Sequence, residues 1–555
     1  NFLRFGIQDS DDSERLKLSY FNNPGEQPLV GETLGQALEK RAKLHGNNEA
    51  IVFCQSKIRK TYAEFNADVD KFAAGLLAIG LVKGDRIGIW SPNHYEWVVT
   101  QFAAGLILVL INPAYQPREL EYCLNKVGVR ALVAAESFKT QDYYKILTAV
   151  VQSLPDSKAG HIKDRLENFT HVIMISEKKY GGCFNFVEVS DCGQSSHIAQ
   201  LRELENQIQF DDAANIQFTS GTTRFPKGTT LSHFNLINNC YIFGRCIGYD
   251  NTHRICVPNP LYHTMGCGMA TLCAVLYGAC LVYPGPSVIA KSTYQAVHDE
   301  KCTSLYGTPT MFIDVLGVMA GSTCPVELLK GCINKLNISN ICVAYGTTEC
   351  SPVITKTKAI DTIEQCTTTV GRVLEHTQVK LVDSISLRIV PVGATGELWA
   401  RGYLVMREYW NDRGKTEESI TQDGWYRTGD LATVDEAGYF KIVGRMKDMI
   451  NRGGEKIYPR EIEEFLHTHP KIAETHVVGV PDERLGEELC AWVKLKAGET
   501  LTTEEVKAFC KGNLSQFKIP RYIKFVDKFP LTVTGKVQKF IIRDQATTEL
   551  KLKAV

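Results

Sequence analysis

The sequence lacks any excess of charge of one sign, because 62 Lys and Arg residues balance 62 Asp and Glu residues. The charge of the whole chain therefore gives no reason to expect a nucleic acid or an anionic membrane surface as a partner. Paired cysteine motifs are also missing, since the 18 cysteines never form Cys-x-x-Cys. A zinc knuckle or a dithiol redox centre is thus not expected, and the thiols are predicted to be free, in a reducing compartment.

A convincing membrane span is absent as well. One stretch of 21 residues, 265–285, carries no charge, but four glycines and a proline interrupt it. Its pattern predicts a buried helix over Met269–Tyr277, a turn at Gly278 and a buried strand over Ala279–Tyr283. No transmembrane segment is therefore expected, and no transit peptide is visible in the chain.

Apolar periodicity alternates between strands and helices over most of the chain. A capping box at Thr61–Glu64 opens a predicted helix, and the apolar run Ala131–Ala135 is typical of a buried strand. This alternation predicts an α/β fold with mostly parallel sheets covered on both faces. Residues 153–211 are polar and weakly patterned, so we expect a surface excursion there.

The pattern changes twice towards the C-terminus. From about Val379, short strands separated by turns predict a β-rich subdomain. Beyond Arg445, a predicted helix over Pro459–His467 and further strands indicate a small, separate α+β domain. The predicted division is a large domain, residues 1–445, and a small C-terminal domain, residues 446–555.

One loop combines hydroxyls, glycines and a lysine directly after a predicted strand that contains Ile216 and Phe218. It consists of Thr219, Ser220, Gly221, Thr222, Thr223, Arg224, Phe225, Pro226, Lys227 and Gly228. Backbone N–H groups and hydroxyls of such a loop can enclose a phosphate while the lysine supplies charge. A Walker A loop ends in Gly-Lys-Ser/Thr, so this loop does not belong to a P-loop NTPase. A helix is expected to begin near Ser232.

A second group of candidate residues follows a later predicted strand, Ile341–Tyr345. Thr347, Thr348 and Glu349 come next, and such residues at the carboxyl end of a strand can bind phosphate and hold Mg²⁺. An ordinary turn is the alternative. Asp430, in a Thr-Gly-Asp turn, can bind both hydroxyls of a ribose, although such turns are common.

Three further features lie near the predicted domain boundary and beyond it. Arg445 and Lys447 flank the boundary and suit either a ligand contact or a solvated linker. Gly453 and Gly454 allow close approach of a backbone to a ligand. Lys536 lies on a loop in a basic region, which suits a phosphorylated ligand or a plain solvated face.

In this order and approximate spacing, these motifs together resemble the adenylate-forming superfamily, which includes acyl-CoA synthetases, luciferases and the adenylation domains of peptide synthetases. The resemblance covers about residues 33–550. It implies a ligase that uses ATP, Mg²⁺ and coenzyme A and converts a fatty, medium-chain carboxylate first to acyl-AMP and then to acyl-CoA. It also implies a mitochondrial location, and it leaves the oligomeric state open.

The resemblance assigns roles to the nucleotide-binding residues. Thr219–Lys227 would hold the β- and γ-phosphates, and Tyr345 would stack on adenine. Thr348 would contact the α-phosphate, Glu349 would bind Mg²⁺, and Asp430 would bind the ribose hydroxyls.

The resemblance extends to the residues that would move between the two half-reactions. Arg445 would lie near the ribose, and Lys536 would bridge the carboxylate and the α-phosphate during adenylation. Lys447 would be the hinge, and Gly453 and Gly454 would line the channel for the pantetheine arm of coenzyme A.

The sequence departs from the family pattern at three places. Arg224 stands where the pattern has glycine, which stores strain of order 1–3 kcal/mol if the position needs a positive φ. The segment from Phe312 to Cys324 is shorter than expected by about a dozen residues, and the helix before Leu106 is short by a few. A catalytically impaired relative that keeps the fold and binds nucleotide or acyl-CoA is therefore the alternative to an active ligase.

Overall fold

A computed structural model describes most of the chain. The described residues are 17–103, 106–219, 226–308, 311–312, 326–336, 338, 340–453, 455–511, 513–531 and 537–552.

The described strands are distributed along the whole chain. In chain order they are β1 (Tyr20–Asn23), β2 (Glu49–Phe53), β3 (Ile58–Thr61), β4 (Arg86–Trp90), β5 (Ile107–Ile111), β6 (Ala131–Ala135), β7 (Ser137–Phe138), β8 (Gln141–Asp142), β9 (His171–Ile175), β10 (Phe184–Asn185), β11 (Ala213–Thr219), β12 (Lys227–Ser232), β13 (Arg254–Cys256), β14 (Cys280–Tyr283), β15 (Ser304–Leu305), β16 (Ala344–Gly346), β17 (Val353–Lys356), β18 (Arg372–Val373), β19 (Thr377–Val382), β20 (Gly396–Gly402), β21 (Glu408–Tyr409), β22 (Tyr426–Val434), β23 (Phe440–Arg445), β24 (Ile450–Arg452), β25 (Glu455–Ile457), β26 (Ile472–Asp482), β27 (Gly486–Leu495) and β28 (Tyr522–Phe525).

The α-helices alternate with the strands in the first part of the chain. They are α1 (Leu34–His45), α2 (Tyr62–Ala78), α3 (Tyr95–Phe102), α4 (Pro117–Lys126), α5 (Tyr143–Val150), α6 (Phe186–Cys192), α7 (Ser195–Glu205), α8 (His233–Ile247), α9 (Cys273–Tyr277), α10 (Ala290–Asp299), α11 (Val326–Leu336), α12 (Ile363–Thr368), α13 (Arg413–Ser419), α14 (Pro459–His467), α15 (Thr503–Cys510) and α16 (Lys539–Glu549).

The largest sheet has eight strands in the order β10-β9-β6-β4-β5-β11-β12-β21. Its strands from β10 to β11 run parallel, whereas β12 and β21 are antiparallel to their neighbours. The expected surface excursion over residues 153–211 is wrong, because β9 lies buried within this sheet and α6 packs on α2. The apolar run of β9 is only five residues long, too short to stand out from its polar surroundings.

A second sheet, ordered β15-β13-β14-β2-β3, contains the uncharged stretch. There a π-helical segment, Met265–Leu272, continues into α9, which ends at Gly278 with φ +70° before β14 begins. The predicted turn at Gly278 is confirmed, while the helix begins earlier than predicted. None of the described helices is both long and apolar enough to cross a bilayer.

The predicted β-rich part is present. It belongs to an antiparallel sheet of order β1-β19-β20-β22-β23. Along the sequence, the strands of a three-stranded sheet, β16-β17-β18, come between the parallel sheets and this part. A strand that was not predicted, β12, separates the phosphate loop from α8. Ser232 caps α8 through its hydroxyl, which accepts from the Asn235 N–H at 3.1 Å.

The last part of the chain has a sheet of its own, β25-β24-β27-β26, with β28 beside β27. Side chains of this sheet and of α14 and α15 form a separate apolar cluster. β23 ends at Arg445 and β24 begins at Ile450 in the other sheet, with one 3-10 turn, Met446–Asp448, between them. The division into two domains at residues 445 and 446 stays a prediction.

Candidate active site

The Tyr345–Glu349 motif leaves strand β16 and turns sharply. A Cβ atom at Gly346 would lie 1.9 Å from the carbonyl oxygen of Pro352, so only glycine fits there without a shift of the backbone. Thr348 then begins a 3-10 turn that ends at Cys350. The close contact at Gly346 thus fixes the direction in which the chain leaves β16, and with it the positions of the Thr348 hydroxyl and the Glu349 carboxylate.

Glu349 is buried and joins three elements. Its Oε1 accepts a hydrogen bond from the Tyr409 hydroxyl at 2.9 Å, and the Thr219 hydroxyl lies 3.4 Å from the same oxygen. The backbone carbonyl of Glu349 accepts from the Met406 N–H at 2.8 Å. Tyr409 belongs to β21 and Thr219 ends β11, so the carboxylate lies at one end of the eight-stranded sheet, beside the beginning of the predicted phosphate loop.

Thr348 lies close to a buried polar pair. Its Oγ1 is 3.4 Å from the Thr264 hydroxyl, which donates to the Gln217 side-chain oxygen at 2.7 Å. Thr264 and Gln217 are both buried. These contacts place the Thr348 hydroxyl next to residues of β11 and of the turn that precedes the π-helical segment.

Asp430 receives a different partner on each carboxylate oxygen. The Tyr345 hydroxyl donates to Oδ2 at 2.7 Å, and Arg445 Nε lies 2.9 Å from Oδ1. Burial and the nearby Asp430 carboxylate both raise the pKa of Tyr345, so its hydroxyl stays a donor. Arg445 faces Asp430 because the two residues are paired across β22 and β23.

Lys227, the end of the predicted phosphate loop, opens β12. Its Nζ lies over the Tyr409 ring, 4.5 Å from the centroid. Tyr409 therefore contacts both the lysine and Glu349. Sequence reasoning missed Tyr409 and Gln217, because each acquires its role only when distant strands meet; Tyr409 is 60 residues from Glu349.

The predicted hinge and glycines lie in turns. Lys447 is exposed in the 3-10 turn between β23 and β24. Gly453 has φ +61° and donates its N–H to the Leu485 carbonyl at 2.8 Å, in the turn between β24 and β25. The positive φ favours glycine at position 453.

Other predicted site residues lie outside the described residues. They are Ser220, Gly221, Thr222, Thr223, Arg224, Phe225, Gly454 and Lys536. Most of the shortened segment between Phe312 and Cys324 also lies outside them. Thr219, Pro226, Lys227, Tyr345, Thr348, Glu349, Asp430, Arg445, Lys447 and Gly453 are described.

The donor set around Glu349 suits a hard cation held largely by a substrate. Mg²⁺ is commonly bound by one or two carboxylates together with phosphate oxygens and water. Glu349 offers a carboxylate, and the nearby Thr219 and Thr348 offer neutral hydroxyls. In the described parts of the chain no cluster of three or more His, Cys, Asp or Glu side chains is placed to hold a metal alone.

Comparison with protein families identifies the chain. Residues 38–410 match the AMP-binding enzyme family, and residues 461–536 match the AMP-binding enzyme C-terminal domain. The chain belongs to the AMP-binding enzyme family. The two matched regions lie on either side of residues 445 and 446.

Curated relatives of this AMP-binding enzyme cover almost its whole length. A mitochondrial medium-chain acyl-CoA ligase, ACSF2, of Danio rerio is 46% identical over 557 residues, 97% of this chain and 92% of the relative. The protein of the same name from Homo sapiens is 46% identical over 96% of this chain and 91% of its own length. YngI of Bacillus subtilis (strain 168) is 40% identical over 95% of this chain and 99% of its own.

Solved structures share the fold. ATP-bound MatB from Rhodopseudomonas palustris superposes with a TM-score of 0.79 at 24% identity, over 92% of this chain and 98% of MatB. The anthranilate CoA ligase AuaEII with anthranoyl-AMP gives a TM-score of 0.80 at 24% identity, over 95% of this chain and 99% of AuaEII. The predicted α/β fold and the predicted family are confirmed. Nothing in these comparisons supports the alternative of a catalytically impaired relative.

Proposed function

We propose that this AMP-binding enzyme is an acyl-CoA ligase that uses ATP to activate a medium-chain fatty acid. In the first half-reaction a carboxylate oxygen attacks the α-phosphorus of ATP, forming acyl-AMP and releasing pyrophosphate. In the second, the thiol of coenzyme A attacks the acyl carbonyl, and AMP leaves. The observation that carries this proposal is that the two ends of the Tyr345–Glu349 motif each contact a further candidate residue, Tyr345 through Asp430 and Glu349 through Thr219.

Asp430 and its partners suit the sugar and base of the nucleotide. A carboxylate accepts from two vicinal hydroxyls, and Arg445 Nε, 2.9 Å from Oδ1, orients the Asp430 carboxylate. Tyr345 offers an aromatic face to adenine when its hydroxyl leaves Asp430. These three residues bind and orient the nucleotide, and they take no part in the transfer itself.

Glu349 and the loop suit the phosphates. Glu349 would hold Mg²⁺, which supplies positive charge where negative charge accumulates during the attack. The Thr348 hydroxyl would contact the α-phosphate. The loop residues Thr219–Lys227 would enclose the β- and γ-phosphates through hydroxyls, backbone N–H groups and the Lys227 ammonium.

The C-terminal residues would complete each half-reaction in turn. Lys536 would bridge the attacking carboxylate and the α-phosphate, since a fixed cation offsets the repulsion between two anions. Residues 446–555 would then turn about Lys447. Gly453 and Gly454 would border the path of the pantetheine arm.

The acyl chain length and the location follow from relatives. The ACSF2 proteins are named medium-chain ligases and mitochondrial, which supports a medium-chain substrate and a mitochondrial location for this chain.

A pyrophosphate-release assay tests the proposal. The purified chain is supplied with ATP, Mg²⁺ and a series of straight-chain carboxylates that includes octanoate, with and without coenzyme A. We expect turnover to be highest for medium chains, with acyl-CoA and AMP formed in equal amounts. Absence of carboxylate-dependent pyrophosphate release, while ATP still binds in calorimetry, would contradict the ligase and favour a binding-only relative.

A further inference from the structure

The loop that contains Lys536 is held at both of its ends, which are residues 529–531 and residues 537–539 and are both described. The Pro530 carbonyl accepts a hydrogen bond from the Gln538 N–H at 2.8 Å. An antiparallel bridge also pairs the two ends. The loop ends are therefore joined to each other, and whatever fixes them also fixes the backbone next to Lys536.

Glu463, on α14, holds the second loop end. Its Oε1 lies 2.7 Å from the Nζ of Lys539, which is the first residue of α16. The same oxygen accepts from the N–H of Val477, in β26, at 2.7 Å. Only 13% of the Glu463 side chain and 21% of the Lys539 side chain are exposed, so water and salt screen this ion pair little. The carboxylate is thus anchored on the sheet, and it gives Lys539 a fixed position.

His476, also in β26, connects Glu463 with the first loop end. Its buried ring meets the Phe529 ring edge-on, with 4.7 Å between the centroids and 86° between the planes. Its Nδ1 lies 3.9 Å from Glu463 Oε1, and its Nε2 lies 3.0 Å from Glu474 Oε1. Both ends of the loop therefore contact Glu463 or a residue beside it.

The stability of α16 alone does not explain a lysine at position 539. The N-terminus of a helix carries the positive end of the macrodipole, so a cation at the first helical position is unfavourable. The ion pair with Glu463 offsets this cost, whereas a neutral residue would avoid it. What the pair does provide is a fixed point three residues from Lys536, a separation that the chain spans in at most about 11 Å.

The proposed first half-reaction needs such a fixed point. Lys536 would bridge two anions there, and a cation stabilises the developing charge most effectively when it is already in place. A loosely held backbone would add conformational freedom that has to be lost before the lysine can act. A misplacement of about 1 Å can lower a rate by roughly 100-fold.

We propose that the Glu463–Lys539 ion pair positions Lys536 for adenylation. This inference rests on the proposed function, because it takes Lys536 as a residue of the first half-reaction. Glu463 and Lys539 act through the loop end and contact no substrate. Thioester formation does not use Lys536 in this scheme, so the pair is dispensable for the second half-reaction.

The two half-reactions of the full-length chain are measured separately. Pyrophosphate release with octanoate and MgATP reports adenylation, and thioester formation from supplied octanoyl-AMP and coenzyme A reports the second step. Glu463→Gln keeps an oxygen for the Val477 N–H and loses the charge that holds Lys539. We expect kcat for adenylation to fall roughly 10- to 100-fold, with the KM for ATP and the rate of thioester formation changed less than about twofold. A merely structural role would lower both rates together.

Further variants isolate the pair. Lys539→Gln should show the same selective loss, and the double variant should lose no more than the worse single variant, because the two side chains act through each other. The matched control is Glu461→Gln, which removes an ion pair of the same length, 2.7 Å to Lys518, from the same helix. The control should leave both half-reactions unchanged. If Glu463→Gln folds poorly in a denaturation curve, Lys539→Gln decides the matter.

Limited digestion with trypsin tests the anchoring without reference to ligase activity. Cleavage after Lys536, identified from the mass of the C-terminal fragment, requires local opening of the loop. It should be at least about fivefold faster in Glu463→Gln than in Glu461→Gln, because the second loop end has lost its anchor.

The outcomes distinguish the inference from the proposed function. If Lys536→Ala loses adenylation while Glu463→Gln and Lys539→Gln each lose less than about threefold, the inference is overturned and the proposed function stands. Equal loss of both half-reactions in the ion-pair variants, or unchanged cleavage after Lys536, also overturns the inference. Unimpaired adenylation in Lys536→Ala overturns the proposed role of that lysine, and the inference with it.

Discussion

Tyr409 offers a sharp test of how Glu349 is positioned. Tyr409→Phe removes the hydroxyl that donates to Glu349 Oε1 at 2.9 Å, and it keeps the ring beneath Lys227 Nζ. Among the described side chains, Glu349 then keeps the longer contact with the Thr219 hydroxyl at 3.4 Å. The substitution therefore removes a hydrogen bond from the Glu349 carboxylate and leaves the cation–π contact between Lys227 and the ring in place.

The expected size follows from the kind of bond that is lost. A hydrogen bond to a charged group contributes about 1.5–3 kcal/mol. If that energy orients Glu349 towards the reacting nucleotide, adenylation with MgATP falls roughly 10- to 150-fold in kcat/KM. Tyr409→Leu removes the ring as well and should reduce the rate further, because Lys227 loses its position over the aromatic face.

Pyrophosphate release at varied MgATP and a denaturation curve for each variant provide the measurement. Tyr62→Phe is the matched control, because the Tyr62 hydroxyl is buried and donates to the Ala279 carbonyl at 2.7 Å in the core. That control should lose about 0.5–1.5 kcal/mol of stability and keep its rate. If Tyr409→Phe loses stability like the control and changes kcat/KM less than about threefold, the positioning role is refuted.

Other substitutions test separate parts of the molecule. Lys536→Ala should reduce adenylation by about 10²–10³ and spare thioester formation from supplied acyl-AMP; equal loss in both half-reactions would contradict the assigned role. Asp430→Asn should weaken ATP binding in calorimetry roughly 10- to 100-fold, since it removes the charge from two hydrogen-bonded oxygens; unchanged affinity would remove it from the ribose site. Gly346→Ala, with its Cβ 1.9 Å from a backbone carbonyl oxygen, should cost about 1–3 kcal/mol in urea denaturation, whereas Gly414→Ala, which meets nothing within 4 Å, should cost nothing. Burial lowers the pKa of His233 from 6.5 to about 4, so between these pH values the unfolded chain binds a proton that the folded chain does not. The free energy of unfolding should therefore fall on acidification through that window by up to about 1.4 kcal/mol per pH unit, and by less in His233→Gln. Equal slopes in the two proteins would refute the assignment.

Elements with strong local signals were predictable from sequence. Helix α14 begins and ends as predicted, because Pro459 supplies a favoured first position and the apolar residues that follow recur at helical spacing. β6 also has the predicted limits, because its run of five buried apolar residues between two turns is of typical strand length. β9 and β12 were not predicted. β12 begins in the polar residues Lys227 and Gly228, and it is a strand because it pairs with β11 and β21, which local sequence does not report.

The site shows the same division between local and distant information. Tyr345, Glu349 and Asp430 stood out because each occurs in a short motif. Their mutual contacts could not be predicted, since Tyr345 and Asp430 are 85 residues apart and meet only when the three-stranded sheet that contains β16 and the antiparallel sheet that contains β22 are both folded. Tyr409 had no motif signal at all. Its importance comes entirely from the two strands that bring it to Glu349 and Lys227.

The contacts of Asp430 also indicate what nucleotide binding must overcome. Tyr345 donates to one carboxylate oxygen and Arg445 faces the other, so a ribose bound as we propose would take the place of the Tyr345 hydroxyl at Oδ2 or share that oxygen with it. That exchange replaces one hydrogen bond to a charged acceptor, about 1.5–3 kcal/mol, with one from the sugar. The carboxylate would then stay hydrogen-bonded in both states, and the Tyr345 ring would be free to stack on the base as proposed. Under this proposal, nucleotide affinity in this part of the site would depend on the stacking and on the second hydroxyl, because the first hydrogen bond is exchanged at little net gain.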